Sequence, residues 1–352
     1  MLSAARRRSG DSLGEPVTGR LSHDLLDEVA VGALAIDGSD EVSVSNSAAH
    51  RLGLVRGSFL VVPELRNAAR MVRKDGLRRE LTLSLPAASI NDTRVPLRAQ
   101  LFLLGGDEVG IVVEDLTDAA RVDAVRRDFV ANVSHEIKTP VGAIALLAEA
   151  LREANDDPAA VSRFVDRIAA ESARLSRLVQ ELLDLSRLQG GGPPQQMSRV
   201  ELHSLVDETL AGLRDRAAAK DVNVHVTCPP EVAVVGDHGQ LAMALANLVD
   251  NAVNYSERGT NVQIVVRVVE DVVEIAVKDE GIGIERAELD RIFERFYRVD
   301  PARSRETGGT GLGLAIVKHV MSNHGGEVTV WSSPGVGSTF TLRVPSAEER
   351  AP

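Results

Sequence analysis

His135, within Ser134-His135-Glu136-Ile137-Lys138-Thr139-Pro140, is the sequence's main nucleophile candidate. An unperturbed imidazole is mostly neutral near neutral pH, so one ring nitrogen can attack if the other is held as N–H. Glu136 is the candidate holder, although adjacent helical residues do not face each other and the contact would rely on the reach of the Glu side chain and on a local bend. Thr139, four residues on, shares the face of His135 and can orient a water beside it. Asn247 and Asn251, four apart, with Tyr255 four further on, form a polar stripe beside Leu241, Leu245, Leu248 and Ala252. Two neutral amides suit a Mg²⁺ ion that already carries phosphates and needs only one or two protein oxygens, and Tyr255 can lie against a base.

Asp279-Glu280-Gly281-Ile282-Gly283 offers a carboxylate to accept from an exocyclic amine, with Gly281 and Gly283 letting backbone come close to a purine. Gly308-Gly309-Thr310-Gly311-Leu312-Gly313-Leu314 opens a helix, an arrangement that points backbone N–H groups and a positive dipole end at phosphate. The charged segment from Arg298 to Glu306 suits a lid over bound nucleotide. Phe293, Phe296 and Tyr297 at its head read as packing anchors. Taken singly each feature has an ordinary reading: a surface histidine, a wet helix face, an Asp-Gly turn, a glycine-rich loop lacking the βαβ context of a dinucleotide site.

The elements that must position these residues follow from periodicity. Apolar positions at Val122, Val125, Phe129, Val133, Ile137, Val141, Ile144, Leu147 and Leu151 make one stripe of a long helix. His135 lies about 200° round the helix from Val133 and Ile137, so it is expected to point outward. Pro140, inside the pattern, predicts a bend. A second stripe runs Val161, Val165, Ile168, Leu175, Leu178, Leu182, Leu185 and Leu188, with turn chemistry at Asn155-Asp156-Asp157-Pro158 between the two. One such hairpin buries only part of its apolar surface, so two chains pairing into a four-helix bundle is the expected solution.

Gly190-Gly191-Gly192-Pro193-Pro194 then reads as a linker on which the next domain swings. Beyond it, helices expected at Leu202 to Ala219, Gln240 to Tyr255 and Leu312 to Asn323 alternate with strands at Val222 to Thr227, Val262 to Val268, Val272 to Lys278, Glu327 to Ser332 and Thr339 to Val344. Residues 21–116 read as a small α+β unit with a hairpin turn at Asp37-Gly38-Ser39-Asp40. The domain plan is thus a basic tail over 1–20, a sensor-like unit over 21–116, the helical hairpin over 117–190, a linker over 191–198, an α/β sandwich over 199–346 and a tail over 347–352.

Composition narrows the field. The 352 residues carry a formal charge of -11, which argues against a general nucleic-acid binder. A single cysteine, Cys228, excludes an intramolecular disulfide framework and fits a reducing compartment. No stretch approaches the roughly 18 to 20 uninterrupted apolar residues of a spanning helix. Arg6, Arg7 and Arg8 have no apolar region behind them, and read either as a solvated tail or as the cytoplasmic flank of a membrane segment preceding the chain.

The order of these elements resembles the transmitter region of bacterial two-component sensor histidine kinases. Phe129 to Pro140 looks like the family's phospho-acceptor box, Asn247 to Asn251 its N box, Asp279-x-Gly281-x-Gly283 its first glycine box, Arg291 to Tyr297 its F box, and Gly309-x-Gly311-x-Gly313 its second glycine box. The match covers about 120 to 345. Residues 21–116 resemble a PAS sensor domain more weakly. Phe296-Tyr297-Arg298-Val299-Asp300 and Ala302-Arg303-Ser304-Arg305 look most like actinobacterial phosphate-responsive kinases.

The resemblance implies an α+β multidomain chain: a PAS-like α/β sensor, an antiparallel hairpin forming a dimeric four-helix bundle, and an α/β-sandwich ATP-binding domain of the histidine kinase/Hsp90-like type. It further implies that His135 takes the γ-phosphoryl group of ATP and passes it to an aspartate of a response regulator. Glu136 would serve as base and Thr139 in the reverse phosphatase reaction. Asn247 and Asn251 would hold Mg²⁺ and Asp279 would read adenine. Tyr255, Gly281, Gly283, Arg298, Gly309, Thr310, Gly311, Leu312 and Gly313 would complete the nucleotide site. A homodimer is implied, either cytoplasmic or the cytoplasmic portion of a cell-membrane protein. Asn254 departs from the lysine of many relatives, which puts one phosphate contact in question.

Overall fold

A computed structural model of the chain describes residues 26–86, 94–153, 157–189, 197–300 and 309–347. The chain divides into two compact units, Met1–Asp128 and Phe129–Pro352. The linker expected at Gly190 to Pro194, Asn155 and Asp156 of the expected turn, and residues 301–306 of the lid expected over Arg298 to Glu306 lie outside the described residues.

In the first unit β1 (Gly32–Ile36), β2 (Val42–Ser45), β5 (Arg79–Pro86), β6 (Arg94–Gly105) and β7 (Glu108–Asp115) form a sheet in the order β2-β1-β7-β6-β5. The helices α1 (Ser47–Arg51) and α2 (Pro63–Asp75) and the short pair β3 (Val55–Arg56) and β4 (Phe59–Leu60) fill the connection from β2 to β5. The Asp37 to Asp40 turn forms as the sequence predicts: Asp37 Oδ1 accepts from the Ser39 and Glu41 N–H groups at 2.9 and 3.0 Å, and Asp40 takes a left-handed φ of 65°. Inward residues of the sheet, among them Ile36, Leu97, Leu101 and Ile111, pack with Leu65, Ala69 and Val72 of α2. Asn46 is wholly buried and spends both ends of its amide. It accepts from Ala33 and Ala49 N–H and donates to the Leu26 and Val31 carbonyls, so the α1 N-cap is pinned to the sheet without an unpaired polar group.

Helix α3 (Thr117–Glu153) carries His135, and α4 (Pro158–Gln189) follows it. Pro158 opens α4, where a missing N–H costs nothing, and Asp157 Oδ1 accepts from the Ala159 and Ala160 N–H groups at 3.0 Å. Pro140 is buried inside α3 and the helix continues through it unbroken. Within one chain the apolar stripe of α3 stays largely open: Val122, Val125 and Val141 are 67, 49 and 49% exposed. The stripe of α4 divides. Val165 is exposed, whereas Leu178, Leu185 and Leu188 are buried in a cluster continuous with the core of the following domain.

That domain is built on a sheet in the order β13-β14-β12-β11-β9, comprising β9 (Asn223–Thr227), β11 (Asn261–Val269), β12 (Val272–Asp279), β13 (Glu327–Ser333) and β14 (Gly337–Pro345). β9 runs parallel to β11 and the other pairs are antiparallel. Alternate residues Val262, Ile264, Val266, Val273, Ile275, Val277, Phe340, Leu342 and Val344 face the long helices α7 (His238–Tyr255) and α8 (Gly313–Asn323).

One expectation is corrected and one strand pair is new. The helix predicted from Leu202 to Ala219 is two helices, α5 (Leu202–Ala211) and α6 (Arg214–Ala219), broken at Gly212 and Leu213, because glycine pays the largest backbone-entropy cost of continuing a helix. The pair β8 (Ser198–Glu201) and β10 (Ala233–Gly236) is too short for its alternation to show in the sequence. His324, at the end of α8, sets the start of α7. Its Nε2 accepts from Asp237 N–H at 2.9 Å while its Nδ1 faces the Val320 carbonyl at 2.7 Å, which fixes the proton on Nδ1.

Candidate active site

The α7 N-terminus is capped by Asp237, whose Oδ1 accepts from Gln240 N–H at 3.0 Å. From there the helix buries Leu241, Leu245, Leu248 and Ala252 and turns Asn247, Asn251 and Tyr255 into a cleft. Asn247 Nδ2 donates to the Met243 carbonyl at 2.9 Å, which orients Oδ1 away from its own helix and toward Gly313. The amide nitrogen is thereby spent and the oxygen faces outward, the donor that a hard cation requires. No group of three or more His, Cys, Asp or Glu side chains that could hold a metal ion occurs among the described residues, so a cation here would depend on these amides and on the ligand's own oxygens.

Asp279 ends β12 and is 5% exposed. Its Oδ1 accepts from Gly281 N–H at 2.9 Å and Ser338 N–H at 3.2 Å, and the residue lines the apolar half of the cleft with Ile282, Ile284, Ile292, Val299 and Phe340. Burial holds its carboxyl above the ordinary range, only partly offset by the two N–H donors.

The glycines of this turn serve the chain's own backbone. A methyl group at Gly281 would lie 2.5 Å from the Tyr255 carbonyl oxygen, and one at Gly283, whose φ is +70°, would lie 2.0 Å from that of Ser333. The close approach attributed to a purine is already demanded by helix α7 and strand β13.

The second glycine segment closes the other half of the cleft. Gly311 has φ +76° and accommodates the backbone of Phe296, itself at φ 63°; Phe296 N–H donates to the Gly311 carbonyl at 2.8 Å. Gly313 accommodates Asn247, whose Oδ1 would be 2.7 Å from an added methyl group. At Gly309 the nearest atom among the described residues would be the Tyr255 hydroxyl at 3.9 Å, an unstrained contact. Leu312 belongs elsewhere: its side chain is fully buried in the core, and its N–H donates to Thr310 Oγ1 at 3.3 Å. It anchors the loop rather than lining the cleft. Tyr297 and Arg298 border both halves, with the Arg291 guanidinium 4.2 Å from the centre of the Tyr297 ring. Phe293 meets Phe340 edge-on at 6.5 Å, and Phe296 meets Phe129 of α3 at 5.8 Å, so both act as anchors.

Asn254 borders the half of the cleft beside the Gly309–Gly313 loop and donates to Asp250 Oδ2 at 3.1 Å. Lys220 does not replace the absent lysine, since its Nζ is held by the Val253 and Asn254 carbonyls at the C-terminus of α7.

His135 is exposed on α3, as its position relative to the stripe predicts. Glu136 is engaged with arginines rather than with the imidazole: its Oε2 accepts from Arg174 Nη2 at 3.1 Å and lies 3.9 Å from Arg298 Nη1. Thr139 donates to the His135 carbonyl at 3.1 Å. Arg177 and Glu181 of α4 also line the half of the cleft beside the Gly309–Gly313 loop, and Glu181 accepts from the Thr310 hydroxyl. Nothing in the local pattern of α4 marks these two residues.

The family described as "His Kinase A (phospho-acceptor) domain" matches residues 125–191, and that described as "Histidine kinase-, DNA gyrase B-, and HSP90-like ATPase" matches residues 236–348. The sensor-like histidine kinase SenX3 of Mycolicibacterium smegmatis is 46% identical over 305 residues, covering 86% of this chain and 79% of that protein. The phosphate regulon sensor protein PhoR of Pseudomonas aeruginosa is 37% identical over 281 residues, 77% of this chain and 62% of that protein. Among solved structures, histidine kinase ThkA in complex with response regulator protein TrrA shares the fold with a TM-score of 0.52 at 18% identity, covering 93% of this chain and 99% of that one. A glycine-lined cleft with two amides and a buried aspartate, preceded by an exposed histidine on a helical hairpin, therefore has its explanation in ancestry: the chain belongs to the sensor histidine kinases, ATP-dependent protein-histidine kinases of two-component signalling, and is related to their phosphate-responsive members.

Proposed function

We propose that His135 is the phospho-acceptor and that the cleft between α7, the Asp279 turn and the Gly309–Gly313 loop holds ATP. The observation that carries this reading is convergence. Asn247, Asn251, Tyr255, Asp279, Arg298, Gly309, Thr310 and Gly313 come from distant parts of the chain and meet on two adjoining halves of one cleft. The apolar half with buried Asp279 suits adenine, whose exocyclic amine would donate to the carboxylate. The half at the N-terminus of α8 suits the phosphates. Asn247 and Asn251 would hold Mg²⁺, which neutralises charge on the phosphate oxygens.

In the transfer, a ring nitrogen of His135 forms a bond to the γ-phosphorus, the bond to the β,γ-bridging oxygen breaks, and ADP leaves with the electron pair. Glu136 takes the proton of the other ring nitrogen, for which it must turn from Arg174. The phosphoryl group then passes to an aspartate of a response regulator, and Thr139 orients water for the reverse, phosphatase reaction. Catalysis in this scheme is mostly positioning.

The exposed stripe positions of the hairpin support a homodimer, because Val122, Val125 and Val141 of α3 and Val165 of α4 are exposed within one chain. Residues 26–115 would act as the sensor, and their α/β sheet is compatible with a PAS-like role. No helix among the described residues is long and apolar enough to cross a membrane. The chain would therefore signal in the cytoplasm, or as the cytoplasmic portion of a cell-membrane protein. Replacing His135→Gln and assaying label transfer from γ-labelled ATP tests the assignment. Loss of an acid-labile phosphoprotein is expected, and undiminished incorporation would reject it.

A further inference from the structure

The nucleotide reading leaves Glu181 of the cleft without a task. Glu181 projects from α4 and accepts from the hydroxyl of Thr310, at the heart of the loop that leads into α8. Thr310 is 5% exposed, and its oxygen also receives the Leu312 N–H, so the hydroxyl is held in one orientation. A helix N-terminus reached through glycines collects donors for an anion, and here a side-chain carboxylate has taken one of them. The same stretch of α4 is attached to the domain by apolar packing, since Leu178, Leu185 and Leu188 are buried with the domain's own core.

The electrostatic surroundings make this an uneasy seat. Around Glu181 lie Arg177 and Asp184 of its own helix and Asp250 of α7, two carboxylates against one guanidinium. Asp250 is itself occupied by Arg216 and Asn254. Burial pushes the Glu181 carboxyl up to about 7. A polyphosphate entering the same half of the cleft would add further negative charge at short range, and two anions competing for one donor repel strongly where water is excluded.

We propose that Glu181 is an internal stand-in for the nucleotide's phosphate: it latches the helical hairpin onto the Gly309–Gly313 loop while the cleft is empty of ATP and is expelled when ATP enters. Binding of the substrate thereby releases the hairpin contact that the phosphoryl transfer needs to rearrange. The inference rests on the nucleotide reading of the cleft. It makes Glu181 a determinant of ATP affinity that lies outside the ATP-binding domain, 129 residues from its partner Thr310.

The test is calorimetric titration of the full chain, as wild type, Glu181→Ala and Glu181→Gln, with ATP–Mg²⁺ and separately with adenosine. Removing a competing hydrogen bond should tighten ATP binding roughly tenfold in Glu181→Ala. In Glu181→Gln, which keeps a neutral contact with Thr310, the gain should be smaller. Adenosine, which has no phosphate, should bind all three equally. A melting curve of each variant confirms that the fold is kept. ATP affinity that is unchanged or weaker in both variants, or adenosine affinity that changes in parallel with ATP, overturns the latch and leaves the kinase reading standing. Failure of wild type and both variants to bind ATP at all overturns the cleft assignment and the latch with it.

Discussion

Gly283 and Gly309 stand in similar motifs but should respond oppositely to alanine. At Gly283 the new residue must hold φ +70°, a left-handed conformation that costs an L-residue about 1–2 kcal/mol. Its methyl group would lie 2.0 Å from the Ser333 carbonyl oxygen and 2.6 Å from the carbon. Both atoms are backbone, so a strand must shift, and overpacking of this kind costs about 1–3 kcal/mol. Alanine recovers about 0.4–1 kcal/mol by stiffening the unfolded chain, which leaves a net loss of about 3 kcal/mol. For a domain of this size that lowers the melting temperature by about 6–12 °C.

At Gly309 no atom of the described residues would lie closer than 3.9 Å to an added methyl group, so Gly309→Ala should melt within about 0.5 kcal/mol of wild type while weakening ATP binding, because its methyl group enters the space assigned to phosphate. Trp331, the single tryptophan, sits on β13 two residues from Ser333 and reports unfolding of this domain by fluorescence. Equal melting of the two variants, or a lower melting point for Gly309→Ala, would refute the argument that the first glycine box answers to the protein's own backbone.

Two further outcomes follow from the buried carboxylates. Asp279→Asn keeps an oxygen for the Gly281 and Ser338 N–H groups and removes a charge that burial disfavours, so the variant should melt no lower than wild type. It loses the acceptor proposed for adenine, and ATP titration should show binding weaker by about ten- to a hundredfold. Glu181 predicts a pH dependence. Its carboxyl is raised from 4.5 to about 7 in the latched arrangement, so the latch is fully present below 4.5 and is weakened as pH rises through 7. The full span is on the order of 3 kcal/mol. ATP affinity of wild type should therefore improve between pH 5 and 8 by more than that of Glu181→Gln, and parallel profiles would show that another group titrates.

The chemistry-bearing segments were legible because each is local. The outward aspect of His135 follows from its angular offset to Val133 and Ile137, and the amide stripe of α7 from a spacing of four. Both require only that the helix form. Glycine-rich turns announce themselves by composition, yet their purpose did not: Gly281, Gly283, Gly311 and Gly313 each make room for protein atoms that come from other elements. Leu312 illustrates the same limit, since a residue inside the motif turned out to have its side chain in the core. The break at Gly212 and the four-residue strands β8 and β10 are not legible because one glycine interrupts an otherwise helical pattern and four residues give only two repeats of the strand period.

By itself the sequence determined which residue types could carry chemistry and which helix or turn presents them, since side-chain type and helical or strand period are properties of neighbours along the chain. Only the tertiary structure decided who meets whom. Glu136 was drawn to Arg174 instead of His135, the apolar stripe of α4 was divided between solvent and the neighbouring core, and Glu181 was carried to Thr310. Such pairings depend on how packed elements close around a shared core, a distance in space that no spacing along the chain encodes.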